Sequence, residues 1–135
     1  MNSLNRYADP VYCIMRLMVG IMFACHGASK VFGMFGGKVT TDSMMMVYGW
    51  LEVVLGILIA IGLLTRVAAF LASGMMAIAY FKAHASGHFL PIVNKGELAV
   101  VYCFLFLFVA FYGPGRWAID AMMGRGRGST VAPNA

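Results

Sequence analysis

The sequence predicts an all-α protein: a transmembrane four-helix bundle with short loops and a short interfacial helix near its C-terminal end. Three observations carry that expectation. The first is composition. Of the 135 residues, 61% are hydrophobic and 11% charged, with a mean hydropathy of +0.83, whereas a soluble domain is roughly 45–50% apolar and about 25% charged. The second is length: at about 20 residues per spanning helix the chain holds four spans and little else. The third is punctuation. Glycine, proline or charged residues separate apolar stretches at about 11–32, 44–64, 67–84 and 97–112. The whole chain, 1–135, reads as one domain.

Residues 1–9 form a short polar arm. Pro10 suits the first turn of a helix, where its missing N–H costs nothing. Span one ends at Gly33-Met34-Phe35-Gly36-Gly37, and Lys38 to Ser43 form a polar loop. The long apolar run and the lack of a small-residue cleavage site argue that span one is not a removable signal. In span two, Gly49, Glu52, Gly56 and Ile59 share one helical face. Small residues let helices approach closely in lipid, so this face points at neighbouring helices. Thr65-Arg66 makes a tight connection. Span three carries Ala69, Ser73 and Ala77 as a small-residue stripe and is expected to continue through Lys82 and His84. Ala85 to Gly96 form a second polar loop. Span four carries Phe104, Phe106, Phe108 and Phe111, expected mostly to meet lipid or other subunits. Gly113-Pro114-Gly115 stops it, Arg116 to Met123 read as a short interfacial helix anchored by Trp117, and 124–135 read as a flexible tail.

The net charge of +5 is distributed topologically. Arg6, Arg66, Arg116, Arg125 and Arg127 lie on one side with Arg16 just inside, and Lys30, Lys38, Lys82 and Lys95 lie on the other. That bias favours cytoplasmic termini. No basic patch with interleaved aromatics is present, so nucleic acid is not an expected partner. Cys13, Cys25 and Cys103 form no CxxC pair and read as small buried residues. Hydrolase elbows, phosphate loops and paired-carboxylate motifs are not visible. Twelve methionines read as soft packing.

Ionisable groups inside a span are expensive and find partners in the protein interior. On span one, Arg16, Gly20, Phe23, Gly27 and Lys30 share a face with His26 beside it. With cytoplasmic termini, Lys30 lies near the outer end of span one, His26 one turn deeper, and Glu52 about 12 Å below the outer end of span two. Glu97 opens span four there, and Lys82 and His84 close span three. The expectation is an outer polar pocket, with His26 facing Glu52 and with Lys30 or Lys82 facing Glu97. The competing reading is that these pairs only fix helix register. Arg16 either snorkels to the headgroups or bonds Asp120 or Tyr112. His26, His84 and His88 do not make a convincing metal or haem site, because Gly87 and Pro91 place His88 in a loop. No metal is expected.

The polar positions also form a family pattern. Arg16-Leu17-x-x-Gly20-x-x-Phe23-x-x-His26-Gly27-x-x-Lys30-Val31-Phe32-Gly33 resembles the first helix of the DoxX family. Glu52-x-x-x-Gly56 and Gly62-Leu63-Leu64-Thr65-Arg66-x-Ala68-Ala69 resemble its second helix and turn. Lys82-x-His84, Asn94-Lys95-Gly96-Glu97-Leu98-Ala99 and Tyr102 resemble its third connection. Gly113-Pro114-Gly115-Arg116-Trp117-Ala118-Ile119-Asp120 resembles its closing motif, with Ala118 where serine is common. The resemblance implies a four-helix bundle in a bacterial or archaeal cytoplasmic membrane. It also implies association with membrane redox complexes, since the family is named for a small subunit associated with a quinone-reducing thiosulfate oxidoreductase and terminal quinol oxidase.

Three functions follow as expectations. In the first, the chain is a quinone-linked redox subunit. His26 or Lys30 would bond a quinone carbonyl and Glu52 would relay protons, with Glu97, Lys82 and His84 completing the binding site. A larger partner would carry the electrons. In the second, the chain is a non-catalytic accessory subunit of a larger membrane complex. The third is a small transporter or lipid-binding protein, ranked last because inverted repeats and broken helices are lacking. The bilayer is a partner in all three, and each is compatible with a homo-oligomer.

Overall fold

The computed structural model describes residues 2–124. The elements are α1 (Asn2–Asn5), α2 (Ala8–Phe32), α3 (Ser43–Ile61), α4 (Thr65–Ala79), a π-turn over Tyr80–His84 that prolongs α4, α5 (Pro91–Asn94), α6 (Glu97–Tyr112) and α7 (Ile119–Met122). The described residues contain no strand. Three helical stretches among them, Ser3–Phe32, Ser43–Ile61 and Thr65–His84, are long and apolar enough to cross a membrane. The fourth long helix, α6, is apolar and has 16 residues. Apart from Gly124, the tail read over 124–135, including Arg125 and Arg127, lies outside the described residues.

Local chemistry sets the ends of α2 and α3. The last turn of α2 gives way to Gly33 in the left-handed region at φ 68°. Asp42 starts α3, its Oδ1 accepting from Met44 N at 3.0 Å. Gly62, at φ 74°, ends it, with Gly62 N and Leu63 N returning to Ile59 O and Leu58 O.

Glycine brings α2 and α3 together. A Cβ at Gly20 would stand 2.5 Å from Ala60 N, and one at Gly56 would stand 2.6 Å from Ala24 N. Close backbone approach gains van der Waals contact where lipid offers no hydrophobic drive. Opposite them, α4 packs Ala68, Ala69, Ala72 and Ser73 against α6, and Ser73 Oγ donates to Cys103 O at 2.8 Å. The ring closes between α2 and α6, where Phe23 meets Phe106 edge-on at 4.8 Å. Phe106 is therefore fully buried, while Phe104, Phe108 and Phe111 face outward with Val67, Phe70 and Phe81. An outward face so apolar suits lipid.

At one end of the bundle, side chains satisfy the helix termini. Arg16 is 1% exposed and does not snorkel. Its Nη1 donates to Ile59 O at 2.5 Å and Ala60 O at 2.8 Å, and its Nη2 donates to Trp117 O at 2.7 Å. The last carbonyls of α3 keep acceptor capacity, Ile59 O even while it takes Gly62 N, and they carry the negative end of the helix dipole, which draws the guanidinium inward. Asp120 does the converse for α4: its carboxylate accepts from Leu64 N (2.9 Å), Thr65 N (2.8 Å) and Thr65 Oγ1 (2.9 Å). Thr65 and Arg66 thus begin α4 and are not a connection. The turn is Gly62-Leu63-Leu64, and the short closing helix docks on it through buried Asp120. Arg66 reaches Ala110 O and Phe111 O at the end of α6, and Tyr12 donates to Gly113 O.

Candidate functional site

The opposite end carries the loops 33–42 and 85–96, and here the polar groups of α2, α3, α4 and α6 converge. Glu52 lies on the buried face of α3, about 14 Å along the helix from Ser43 at 1.5 Å per residue. It is 4% exposed. Its Oε1 accepts from Lys30 Nζ at 2.7 Å. This corrects two expected pairings, since Lys30 faces Glu52 and not Glu97, and Lys30, not His26, is the partner of Glu52. The cause is Gly49. A Cβ there would stand 3.2 Å from Lys30 Cβ, so the bare backbone lets the lysine stem lie against α3 and carry its ammonium one turn along to the carboxylate.

The pair sits between two cavities. The first, about 270 Å³, is bounded by Phe23, His26 and Lys30 of α2, Glu52, Met76 and Ala79, the π-turn's His84, and Lys95, Leu98, Ala99 and Tyr102 at the start of α6. The second, about 370 Å³, lies between α3 and the α4–π-turn segment, with Met44, Met45, Tyr48, Met75, Met76 and Ala83 on its walls and Asp42 and Lys82 at its edge. Lys30, Glu52, Met76, Ala79 and His84 border both.

Two residues that line the first cavity each keep a buried side-chain oxygen without a hydrogen-bond partner, Glu52 Oε2 and Tyr102 Oη, and Glu52 lines the second cavity as well. Tyr102 is 4% exposed. A carboxylate oxygen accepts and a phenol donates or accepts, so the pair presents complementary functions to a polar group placed between apolar walls. Buried polar atoms are normally satisfied, and leaving one unpaired costs about 1–3 kcal/mol.

Of the remaining residues singled out in the sequence, His26 and His84 line the first cavity with Lys30 and Glu52, while Lys82 and Glu97 do not. His26 is exposed at the rim of the first cavity, its ring edge-on to Tyr102 at 6.0 Å. His84 stacks on Tyr80 and its Nδ1 lies 3.2 Å from Asn94 O. His88 Nδ1 accepts from Leu90 N. Lys82 is exposed and borders only the second cavity. Glu97 is exposed at the first turn of α6 and borders neither cavity. A carboxylate there complements the positive helix N-terminus and needs no cation across the bundle. Asn94 ties the second loop together, donating to His88 O and Tyr80 Oη and accepting from Gly96 N. Sequence reasoning assigned Tyr102 no chemistry of its own. It lies one turn and a residue after Glu97, and helical spacing alone placed it on an inward or a lipid face with equal ease.

The family model described as DoxX matches residues 11–85, the part that contains Arg16, His26, Lys30 and Glu52. A protein of Haemophilus influenzae described as uncharacterized is 42% identical over 128 residues, covering 89% of this chain and 96% of its own. No solved structure matches.

Proposed function

The chain belongs to the DoxX family, and from that premise we propose that it is an integral subunit of a quinone-linked redox assembly in a bacterial or archaeal cytoplasmic membrane. In this reading the first cavity receives a quinone head group, and the termini face the cytoplasm. One observation supports it: Glu52 and Tyr102, which line a largely apolar cavity of head-group size, each keep a buried oxygen without a partner, Oε2 and Oη. A bound quinone would supply two-electron, two-proton redox chemistry there. Tyr102 O–H donates to a carbonyl oxygen, and Glu52 Oε2 accepts from a hydroxyl of the reduced form. Lys30 holds the other carboxylate oxygen and balances its charge. His26, at the rim, exchanges protons between Glu52 and the aqueous boundary. Electrons reach the site from a partner subunit bearing flavin, haem or iron–sulfur chemistry.

The test is extraction of quinone from protein purified in mild detergent. Under reducing conditions the parent protein retains quinol, and Glu52→Gln and Tyr102→Phe each retain about tenfold less, because a hydrogen bond contributes about 0.5–1.5 kcal/mol between neutral groups and about 1.5–3 kcal/mol to a carboxylate. Parent protein without quinone, or full retention by both variants, rules the reading out.

A second reading, a non-catalytic accessory subunit, draws on α6, whose Phe104, Phe108 and Phe111 project outward from a helix of 16 residues. It is favoured if a stoichiometric large partner copurifies and electron transfer in that complex survives loss of Glu52 and Tyr102.

A further inference from the structure

The quinone reading leaves the second cavity unused, and that cavity answers a separate question: how an amphiphile reaches a site buried inside the bundle. The two cavities differ in character. The first is lined by Tyr102, His26 and Lys95, which the second lacks, and it shares with the second Glu52, whose Oε2, like Tyr102 Oη, is buried without a partner. The second is walled by Met44, Met45, Met75 and Met76, and Met44 and Met45 are 58% and 39% exposed on the outward face of α3. In a bundle that spans a membrane this outward face would meet lipid, and the groove between α3 and α4 would open toward the bilayer. Methionine is unbranched and adaptable, and it tolerates a flexible chain lying against it. The second cavity has polar groups too, Asp42, Lys82 and the shared His84, but beside them its methionines offer a continuous apolar wall, whereas the first has His26 and Lys95 in their place. Between the two stands Lys30, whose side chain is 31% exposed and whose Nζ is held by Glu52 Oε1. Lys30 and Glu52 line both cavities, so the cavities abut at this pair.

We propose that the ligand is a quinone with an apolar chain, which enters laterally between α3 and α4 and binds with its head at Glu52 and Tyr102 and its chain in the methionine-lined groove. This rests on the quinone reading of the first cavity. The groove serves as a portal and not as a source of affinity, because a chain moving from lipid to methionine exchanges one apolar surface for another. Its signature is therefore steric. Ala83, on the π-turn, and Met45, on α3, border the groove and not the head-group cavity. Ala83→Trp and Met45→Trp narrow it from opposite walls.

Binding is measured for a decyl-substituted benzoquinone and for its chainless analogue. Either tryptophan variant weakens the decyl compound by at least about tenfold and leaves the chainless one unchanged. If the parent binds both compounds and the variants weaken neither, or both equally, the portal is wrong while the quinone reading stands. If the parent binds neither, both are wrong. A decyl benzoquinone bearing a terminal diazirine tests the parent protein directly, independent of variant folding. Cross-links fall on peptides containing Met44–Tyr48 or Met75–Ala83. Cross-links on Leu98 and Ala99, or labelling of the groove that excess phospholipid abolishes while the head remains bound, contradict the proposal.

Discussion

Glu52 and Arg16 are both charged side chains taken out of water, and the bundle treats them differently. Arg16 has three carbonyl partners and holds the end of α3. Glu52 has one cation and one idle oxygen. Arg16 Nε is likewise buried without a partner, so what sets Glu52 apart is that it lines both cavities, as Arg16 does not. Two predictions belong here. Lys30→Met leaves the carboxylate buried without its cation and lowers stability by about 1–2 kcal/mol, less than for a fully buried pair because Lys30 is partly exposed. The double variant Lys30→Met/Glu52→Gln recovers most of that loss in detergent unfolding, giving a non-zero coupling energy. Arg16→Met, by contrast, leaves the carbonyls of Ile59, Ala60 and Trp117 short of a donor and costs about 2–4 kcal/mol. A loss under about 0.5 kcal/mol would mean that water takes the guanidinium's place.

At the scale of elements, the glycine seam and the capped turn carry the architecture. Gly20→Ala or Gly56→Ala places a methyl against backbone of the facing helix, at 2.5 Å and 2.6 Å. Each forces α2 and α3 apart at a cost of about 1–3 kcal/mol, visible as a lower unfolding midpoint. Gly74, with open space around its Cβ position, is the control, and Gly74→Ala is neutral or stabilising by helix propensity. Asp120→Ala removes the cap of α4 and costs about 1–2 kcal/mol. The seam was legible in the sequence because Gly49, Glu52, Gly56 and Ile59 repeat at helical spacing on one strip. The cap was not. The residue that caps α4, Asp120, lies 55 positions away from Thr65, and local pattern carries no information about a partner so distant. For the same reason Arg16 read as a snorkelling anchor: its partners are backbone carbonyls, which every residue has and no motif marks.

At the scale of the molecule, four helices form a closed ring in the order α2, α3, α4, α6, with side-chain caps at one end and a cavity-bearing polar cluster at the other. The all-α membrane class followed from composition and break spacing alone. The convergence of Lys30 and Glu52 followed only in part. Depth along each helix placed them at similar levels, but the pairing depends on how closely Gly49 lets α2 approach, which one-dimensional spacing does not contain. Cytoplasmic termini remain a prediction from the arginine and lysine distribution. Single cysteines placed at Lys38 and Ser86, in a background with Cys13, Cys25 and Cys103 replaced by alanine, react with a membrane-impermeant maleimide in intact cells, and one at Asn5 does not; the opposite pattern inverts the bundle. The central claim is that Glu52 and Tyr102 form a quinone head-group site. Its most direct test is a titration of purified parent, Glu52→Gln and Tyr102→Phe proteins with a short-chain quinol, alongside their unfolding midpoints. Saturable binding by the parent, weakened about tenfold or more in each variant with midpoints little changed, is the predicted result. Equal binding by all three proteins would contradict it.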